Sequence, residues 1–243
     1  MNRFAHFLKT GIRRSANLLG YDIVGHDGQS PRWRMARFFA QSAITTVFDI
    51  GANRGEYGWE LREMGFDGKI VSFEPLKDAY ALLAASAKAD PRWQVVNIGL
   101  GDRDEERVLN VAANSQSSSF LPMLAAHEEA APESRYMKKE TATIRRLDGI
   151  FRDYAAPGEN VFLKIDTQGF EKHVLEGASK VLENVPLVQL ECSLVPLYGE
   201  VDPIEGMIAF LRGLGYAPID QKPTFYHRDS HHLMQADVIF LRQ

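Results

Sequence analysis

The stretch FDIGANRGEYG, residues 48–58, decides how the rest of the chain is read. An apolar, β-rich run from Thr45 to Ile50 leads into an acid, Asp49, and then into a turn with glycines at positions 51 and 55. Tyr57, Leu61 and Met64 follow at helical spacing. A buried strand, a sharp turn and an amphipathic helix are the natural reading. Gly51 and Gly55 remove side chains where the chain must turn tightly and where a ligand would touch backbone near a helix start.

Working outward, short apolar runs alternate with helical patterns. Strands are expected at Lys69 to Phe73, Gln94 to Ile98, Val161 to Ile165, Leu187 to Cys192 and Ala236 to Leu241. Helical spacing links Ala79, Leu82, Leu83 and Ser86, then Val174, Leu175, Ala178, Val181 and Leu182, then Ile204, Met207, Ile208 and Leu211. Mostly apolar strands joined by helices predict a doubly wound, mostly parallel α/β sheet, with ligands at the carboxyl ends of its strands. Glu106 to Ala112 and Thr141 to Arg145 read as further strands around a serine-rich loop, Asn114 to Ser119, that interrupts the alternation.

The polar residues of the first turn select among ligands. Asp49 at a strand end suits an ammonium, which a cationic amino-acid cofactor carries and a dinucleotide pyrophosphate lacks. Glu74 closes the next strand in VSFEP, nineteen positions after Gly55, where a carboxylate accepts the hydroxyls of a ribose. A nicotinamide dinucleotide would use the same acid, but it calls for the three-glycine G-x-G-x-x-G turn, and here Asn53 stands in the middle.

Composition narrows the field. At 243 residues, 45% hydrophobic and 25% charged, the chain suits one large globular domain. A net charge of −4 offers no electrostatic footprint for nucleic acid. No apolar run approaches a membrane span and no signal-peptide pattern opens the chain, so a cytoplasmic enzyme is expected. The single cysteine, Cys192, lies in an apolar run and reads as a small buried hydrophobe. Near the N-terminus, Phe4, Phe7, Leu8, Ile12 and Leu19 punctuate a segment bearing Arg3, Lys9, Arg13 and Arg14. This basic amphipathic helix, Arg3 to Leu19, suits weak contact with an anionic membrane surface or a partner, or packing on its own domain. A linker is expected over Gly25 to Pro31.

Taken in order, FDIGANRGEYG, FEP (73–75), NIGLGD (97–102), LKIDTQGFE (163–171) and LEC (190–192) resemble the FkbM family of S-adenosylmethionine-dependent methyltransferases. The similarity runs from about Thr45 to the C-terminus. It implies a seven-stranded Rossmann-like methyltransferase sheet over residues 44–243 with a reversed C-terminal strand, preceded by a helical extension over residues 1–43. It also implies S-adenosylmethionine as cofactor and a hydroxyl acceptor on a sugar, glycan precursor or similar small molecule. By this resemblance Asp49, Gly51, Asn53 and Gly55 hold the methionine portion, Glu74 with Pro75 holds the ribose, and the loop of Gly99, Leu100 and Asp102 lies against adenine.

Methyl transfer from a sulfonium is an in-line displacement, so alignment and exclusion of water supply much of the rate, and a base near the acceptor oxygen supplies more. Asp166 is expected nearest the transferred methyl, as base or acceptor positioner; its alternative is a helix cap. Glu191 is expected across the cleft as a substrate ligand or an ion-pair partner. Lys164, two positions before Asp166 and on the same strand face, reads either as its ion-pair partner or as a substrate group. Glu171 reads as a first-turn acid balancing the helix dipole or as a catalytic group. His173 is expected at the surface, and His227, His231 and His232 near the last hairpin in a solvated loop or in one that caps the site and offers a histidine base. Ser115 to Ser119 offer hydroxyls to a glycan or to the cofactor carboxylate, or simply to solvent.

No metal site is expected, because the acids have no ligand spacing. Two further readings compete: an NAD(P)-dependent nucleotide-sugar dehydrogenase or epimerase, and a non-enzymatic scaffold. The first would normally carry a Tyr-x-x-x-Lys pair, and the near match starting at Tyr136 meets Glu140 instead.

Overall fold

The computed structural model describes residues 12, 14–21, 23 and 30–243. The chain divides between Phe38 and Phe39, and the account below concerns the larger unit, Phe39–Gln243. Of the basic helix expected over Arg3 to Leu19, residues 3–11 and 13 lie outside the described residues, while residues 14–18 are helical. Most of the expected linker, residues 25–29, lies outside them too. Among the described residues no helix is long and apolar enough to cross a membrane.

The elements are α1 (Pro31–Gln41), β1 (Ile44–Ile50), α2 (Glu56–Glu63), β2 (Lys69–Phe73), α3 (Lys77–Ala87), β3 (Trp93–Val96), β4 (Gly99–Leu100), β5 (Glu105–Ala112), α4 (Ala125–Ala130), β6 (Tyr136–Arg145), α5 (Leu147–Tyr154), β7 (Asn160–Ile165), α6 (Glu171–Gly177), β8 (Leu187–Ser193), α7 (Ile204–Gly213), β9 (Tyr216–Tyr226) and β10 (Leu233–Arg242). Seven strands form one sheet in the order β3-β2-β1-β7-β8-β10-β9. β1, β2, β3, β7 and β8 are parallel, and β10 runs antiparallel to both of its neighbours. This is the expected Rossmann-like methyltransferase architecture with its reversed last strand.

Side-chain alternation gives the sheet two different faces. Phe48, Ile50, Val71, Phe73, Leu163, Ile165, Val188 and Leu190 point one way and join a single core with Leu147 and Phe151 of α5, Val174 and Leu175 of α6, and Met207 and Leu211 of α7. Val47, Ile70 and Phe162 share the other face, and Phe39 of α1 seats its ring on Phe162 with centroids 4.8 Å apart. Residues 161–165 of β7 are buried on both faces, as a central parallel strand requires. Each large apolar side chain buried there contributes roughly 1.5–3 kcal/mol relative to exposure. That is enough for the second face to carry a polar row near the strand tips.

The second sheet corrects the reading of residues 97–145. The expected loop at Gly99 to Asp102 begins as β4, with Gly99 opposite Ile144 and Leu100 opposite Arg145 of β6. β6 starts at Tyr136, well before the expected Thr141, and pairs antiparallel with β5. The helix expected to run from Val174 to Leu182 stops at Gly177 and resumes as a single 3-10 turn, Leu182–Asn184. Strand β9 was not foreseen, because Pro218 and Pro223 break its pattern. As an edge strand it tolerates both, and the register with β10 shifts next to each.

Two turns meet at the centre of the sheet. β1 continues into the turn at Gly51 and Ala52, whose N–H groups donate to Phe73 O of β2, while Asp166 N donates to Ile50 O from the β7 side. β1 therefore stands at the switch point, where the connections to its two neighbours leave on opposite faces and open a crevice. Gly51 allows that approach. Its φ is +76°, and a Cβ there would lie 1.8 Å from Asp166 O. Gly51→Ala is therefore expected to cost about 3 kcal/mol or more, combining the left-handed backbone with overpacking against main chain. Gly158, with φ +86° and open space around it, serves as the comparison, and Gly158→Ala should cost only about 1–2 kcal/mol. Urea unfolding of both variants measures the difference. Equal costs would mean that the two turns do not touch as described.

Candidate active site

At the tips of the central strands, Ser72, Asp49, Lys164 and Gln189 stand side by side in register across β2, β1, β7 and β8. All four are buried. Trp93 Nε1 donates to Ser72 Oγ at 3.0 Å, and Ser72 Oγ donates to Asp49 Oδ2 at 3.0 Å. Lys164 Nζ lies 3.3 Å from Asp49 Oδ1, 3.4 Å from Asp166 Oδ2 and 3.4 Å from Gly51 O, with the Tyr57 ring 5.3 Å away. Burial works against the ammonium, but Asp166, Asp49 and Asp237 outweigh it, so its pKa is held well above the ordinary lysine value. Of its two readings, the ion pair with Asp166 is the one these contacts support, and Asp49 shares it.

The turn after β1 has two polar atoms left over. Asp49 Oδ1 meets Lys164 as an ion pair but makes no hydrogen bond, and Asn53 Nδ2 is buried with no partner among the described residues. An acceptor and a donor thus remain open four residues apart on one turn. Asn53 adopts φ +47°, and its Oδ1 accepts a hydrogen bond from Ser115 Oγ at 3.2 Å. Gly55, with φ +95°, is needed for packing, since a Cβ would meet Leu83 at 3.0 Å and the Trp93 ring at 3.1 Å. Both glycines are thus explained by contacts within the protein, where the sequence suggested room for a ligand.

Glu74 is buried at the tip of β2. Its carboxylate accepts from Asn53 N and from Leu76 N, each at 2.8 Å. Burial raises its pKa to about 7 despite those two backbone donors. Asn97 Nδ2 donates to Glu74 O and to Pro75 O, fixing the bend in which the acid sits. Gly99 and Leu100 are buried in β4, where the Phe120 ring and Ile144 close over Gly99, and the Asp102 carboxylate pairs with Arg103 at 2.7 Å.

Beyond Lys164 lies a second polar group. Asp166 keeps a third of its side chain exposed. Its Oδ1 accepts from Gln168 Nε2 at 2.8 Å, and the same nitrogen donates to Glu191 Oε2 at 2.7 Å. Glu191 also accepts from Gln235 Nε2 at 2.9 Å and from Thr224 Oγ1 at 3.2 Å. Burial, followed by Asp166, Asp237 and Glu171, pushes Glu191 well above the usual carboxylate range. Asp237 stands opposite Glu191 in the β8–β10 register, and burial and Asp166 raise it to about 6.

The structure therefore brings Asp49, Lys164, Asp166 and Glu191 into one network. Asp166 does not cap α6, which has no side-chain cap at Phe170. Glu171 ties that turn instead, its Oε1 accepting from Thr167 N at 2.9 Å and Gly169 N at 3.1 Å. His173, expected at the surface, stacks on Phe170 with centroids 4.1 Å apart and planes 8° from parallel, its Nδ1 buried. His227 turns its Nδ1 to the N–H groups of Asp229 and Ser230 in its own exposed hairpin. The serine loop spends its hydroxyls within the protein: Ser119 Oγ donates to Gln168 O and Ser117 Oγ to Ser134 Oγ. Gln168, Tyr198, Gln235 and Asp237 were missed as site residues, and only Gln168, inside KIDTQGFE, had a local signal. The dehydrogenase reading is not favoured: Tyr136 donates to Leu121 O, and Glu140 accepts from Lys77 N on another element.

Chemically, this is an acid and a donor on a glycine turn, a second acid at the next strand tip, and two carboxylates across a buried ammonium. A zwitterionic amino acid joined to a nucleoside fits the first two parts. The open acceptor of Asp49 answers an ammonium, the open donor of Asn53 answers a carboxylate, and Glu74 answers a ribose diol.

Comparison with known proteins agrees. The model of the methyltransferase FkbM domain matches residues 49–218. No curated protein is significantly similar in sequence. Among solved structures, the methyltransferase FkbM from Methylobacillus flagellatus KT superposes with a TM-score of 0.51 at 13% identity, covering 80% of this chain and 43% of that one. This chain thus spans less than half the length of that protein, and the likeness supports the fold. A putative RNA methyltransferase, PH1948, from Pyrococcus horikoshii gives 0.44 at 13% identity over 88% of this chain and 86% of that one. The magnesium protoporphyrin IX methyltransferase ChlM from Synechocystis PCC 6803, solved with bound SAM, gives 0.46 at 9% identity over 89% and 86%. With its domain model matching most of the sequence, the chain belongs to the FkbM family of S-adenosylmethionine-dependent methyltransferases.

Proposed function

We propose that this protein methylates a hydroxyl on a sugar, a glycan precursor or a similar small molecule, with residues 44–243 as the catalytic domain. The observation that carries the proposal is the reach of one side chain: Lys164 Nζ pairs with Asp49 on the cofactor turn and with Asp166 on the neighbouring turn. A carboxylate suited to an alcohol thus adjoins the cradle suited to a cationic nucleoside.

Asp49, Gly51, Asn53 and Gly55 would hold the methionine portion and Glu74 with Pro75 the ribose. Asn97 fixes the Glu74–Pro75 bend through both of its carbonyls, and the segment of Gly99, Leu100 and Asp102 that follows would lie against the adenine. S-adenosylmethionine supplies an electrophilic methyl. Asp166, a third of whose side chain is exposed, takes the proton of the acceptor hydroxyl, and Glu191 orients the acceptor from the β8 side. Lys164 keeps Asp166 in place and offsets the negative charge gathered at the crevice. Alignment of acceptor and donor by these fixed groups supplies the larger part of the acceleration.

The cofactor half is tested by ligand-dependent thermal and chemical stability. S-adenosylhomocysteine at about 100 times its Kd should stabilise the fold by about 2.7 kcal/mol, and nicotinamide dinucleotides should not. A shift produced by the dinucleotide alone would overturn the proposal. The Glu74 carboxylate, raised to about 7, adds a sign. Its ionised form, which accepts the ribose hydroxyls, predominates only above about pH 7, so affinity should weaken several-fold between pH 8 and pH 6. Glu74→Gln should bind more weakly and show little of this dependence. In the apo protein the raised pKa works the other way, since the stability associated with neutral Glu74 is lost as pH rises through about 7. The acceptor half is tested by Asp166→Asn, which should leave S-adenosylhomocysteine affinity within twofold and lower methyl transfer to an accepted alcohol about 100-fold or more. Unchanged turnover would remove Asp166 from the mechanism.

A further inference from the structure

The amide of Gln168 sits where four parts of the fold meet. Its Nε2 donates to Asp166 at the end of β7 and to Glu191 on β8, at 2.8 and 2.7 Å, so both amide protons go to carboxylates. Its Oε1 accepts from the Tyr198 hydroxyl at 2.7 Å, and its own carbonyl accepts from Ser119 Oγ at 2.6 Å. Its backbone lies in the left-handed region at φ +54°. A glutamine amide can be turned end for end, and here Asp166 and Glu191 take its two amide protons, which leaves Oε1 to the Tyr198 hydroxyl, whose one proton lies between Gln168 Oε1 at 2.7 Å and Ser117 O at 3.2 Å.

We propose that Gln168 is the positioning residue of the acceptor pocket, its one NH2 group tying Asp166 and Glu191 into a unit and Tyr198 locking the amide the right way round. That the unit faces an acceptor rests on the methyltransferase reading above. Two carboxylates brought together in a buried crevice repel, and one would take up a proton unless a donor serves both. Glu191 is faced by Asp166 from the end of β7, itself paired with Lys164, Glu171 from α6, Asp237 and Gln235 from β10, Thr224 from β9 and Tyr198 from the loop after β8. None of these groups joins the two carboxylates by hydrogen bonds, whereas Gln168 bonds to both. It therefore holds the two carboxylates side by side and opposes the rise in the proton affinity of Glu191 that burial and Asp166 cause. Its left-handed backbone is a separate requirement, which asparagine also meets.

The test separates the amide from the backbone. Protein labelled with 13C at the Asp and Glu carboxyl carbons is titrated by NMR, with the Glu191 signal identified by its loss in Glu191→Gln. In Gln168→Asn, which tolerates the backbone but is one methylene short, and in Gln168→Leu, the Glu191 midpoint should rise by about one pH unit or more. Tyr198→Phe keeps the glutamine but frees the amide to turn, and should give a smaller rise in the same direction. S-adenosylhomocysteine affinity should stay within twofold of the parent protein in all three variants. A Glu191 midpoint unchanged in Tyr198→Phe and in whichever Gln168 variant folds would overturn the proposal. So would a loss of S-adenosylhomocysteine affinity beyond tenfold, which would move Gln168 into the cofactor site. Failure of the parent protein to bind S-adenosylhomocysteine would strike instead at the methyltransferase reading, leaving the titration result to stand alone.

Discussion

A single buried ammonium, that of Lys164, lies between Asp49 and Asp166 on adjacent parallel strands, and the arrangement of the crevice depends on it. Asp49 is wholly inaccessible and Asp166 a third exposed, so the pair joins the interior of the sheet to its mouth. Placing charges in a sheet core is costly, and an ion pair returns that cost only when its geometry is good and its remaining lone pairs are satisfied. Here Ser72, held by Trp93, satisfies one oxygen of Asp49. The other oxygen has only the ammonium. The turn therefore keeps an acceptor for a ligand.

The apolar face of the sheet permits this polar one. Phe48, Leu163 and Val188 bury one side under α5, α6 and α7, which leaves the tips of the opposite side free to carry Ser72, Asp49, Lys164 and Gln189 in register. Because β1 and β7 are neighbours at the switch point, the turn that follows each opens on the same crevice. Gly51 lets those turns touch, and the serine loop spans them, with Ser115 on Asn53 and Ser119 on Gln168. The groups proposed for cofactor and for acceptor are thus held by one continuous set of contacts.

Much of this was legible before any coordinates. β1, β2, β7 and β8 are apolar runs closed by polar residues, and their buried, both-faces-covered environment leaves that pattern in the chain. Asp49, Glu74, Asp166 and Glu191 could be singled out because strand ends are where such a sheet places ligands. The meaning of the glycines was only half visible. Gly51 reads as a ligand contact in sequence, whereas a 1.8 Å approach to the Asp166 carbonyl requires knowing what lies across from it. Likewise nothing local marks Tyr198 or Asp237: each reaches the site through a loop or an antiparallel partner far along the chain. Strand β9 was hidden by two prolines that an edge strand tolerates, and β4 by being two residues long.

The most direct test of the central ion pair is a double-mutant cycle between Asp49 and Lys164 read by equilibrium unfolding. Lys164→Met should cost about 3–5 kcal/mol, because it strands Asp49 in the sheet, and combining it with Asp49→Asn should recover a substantial part of that loss. Strictly additive costs for the two substitutions would contradict the account, since they would mean that the ammonium does not hold the two turns together.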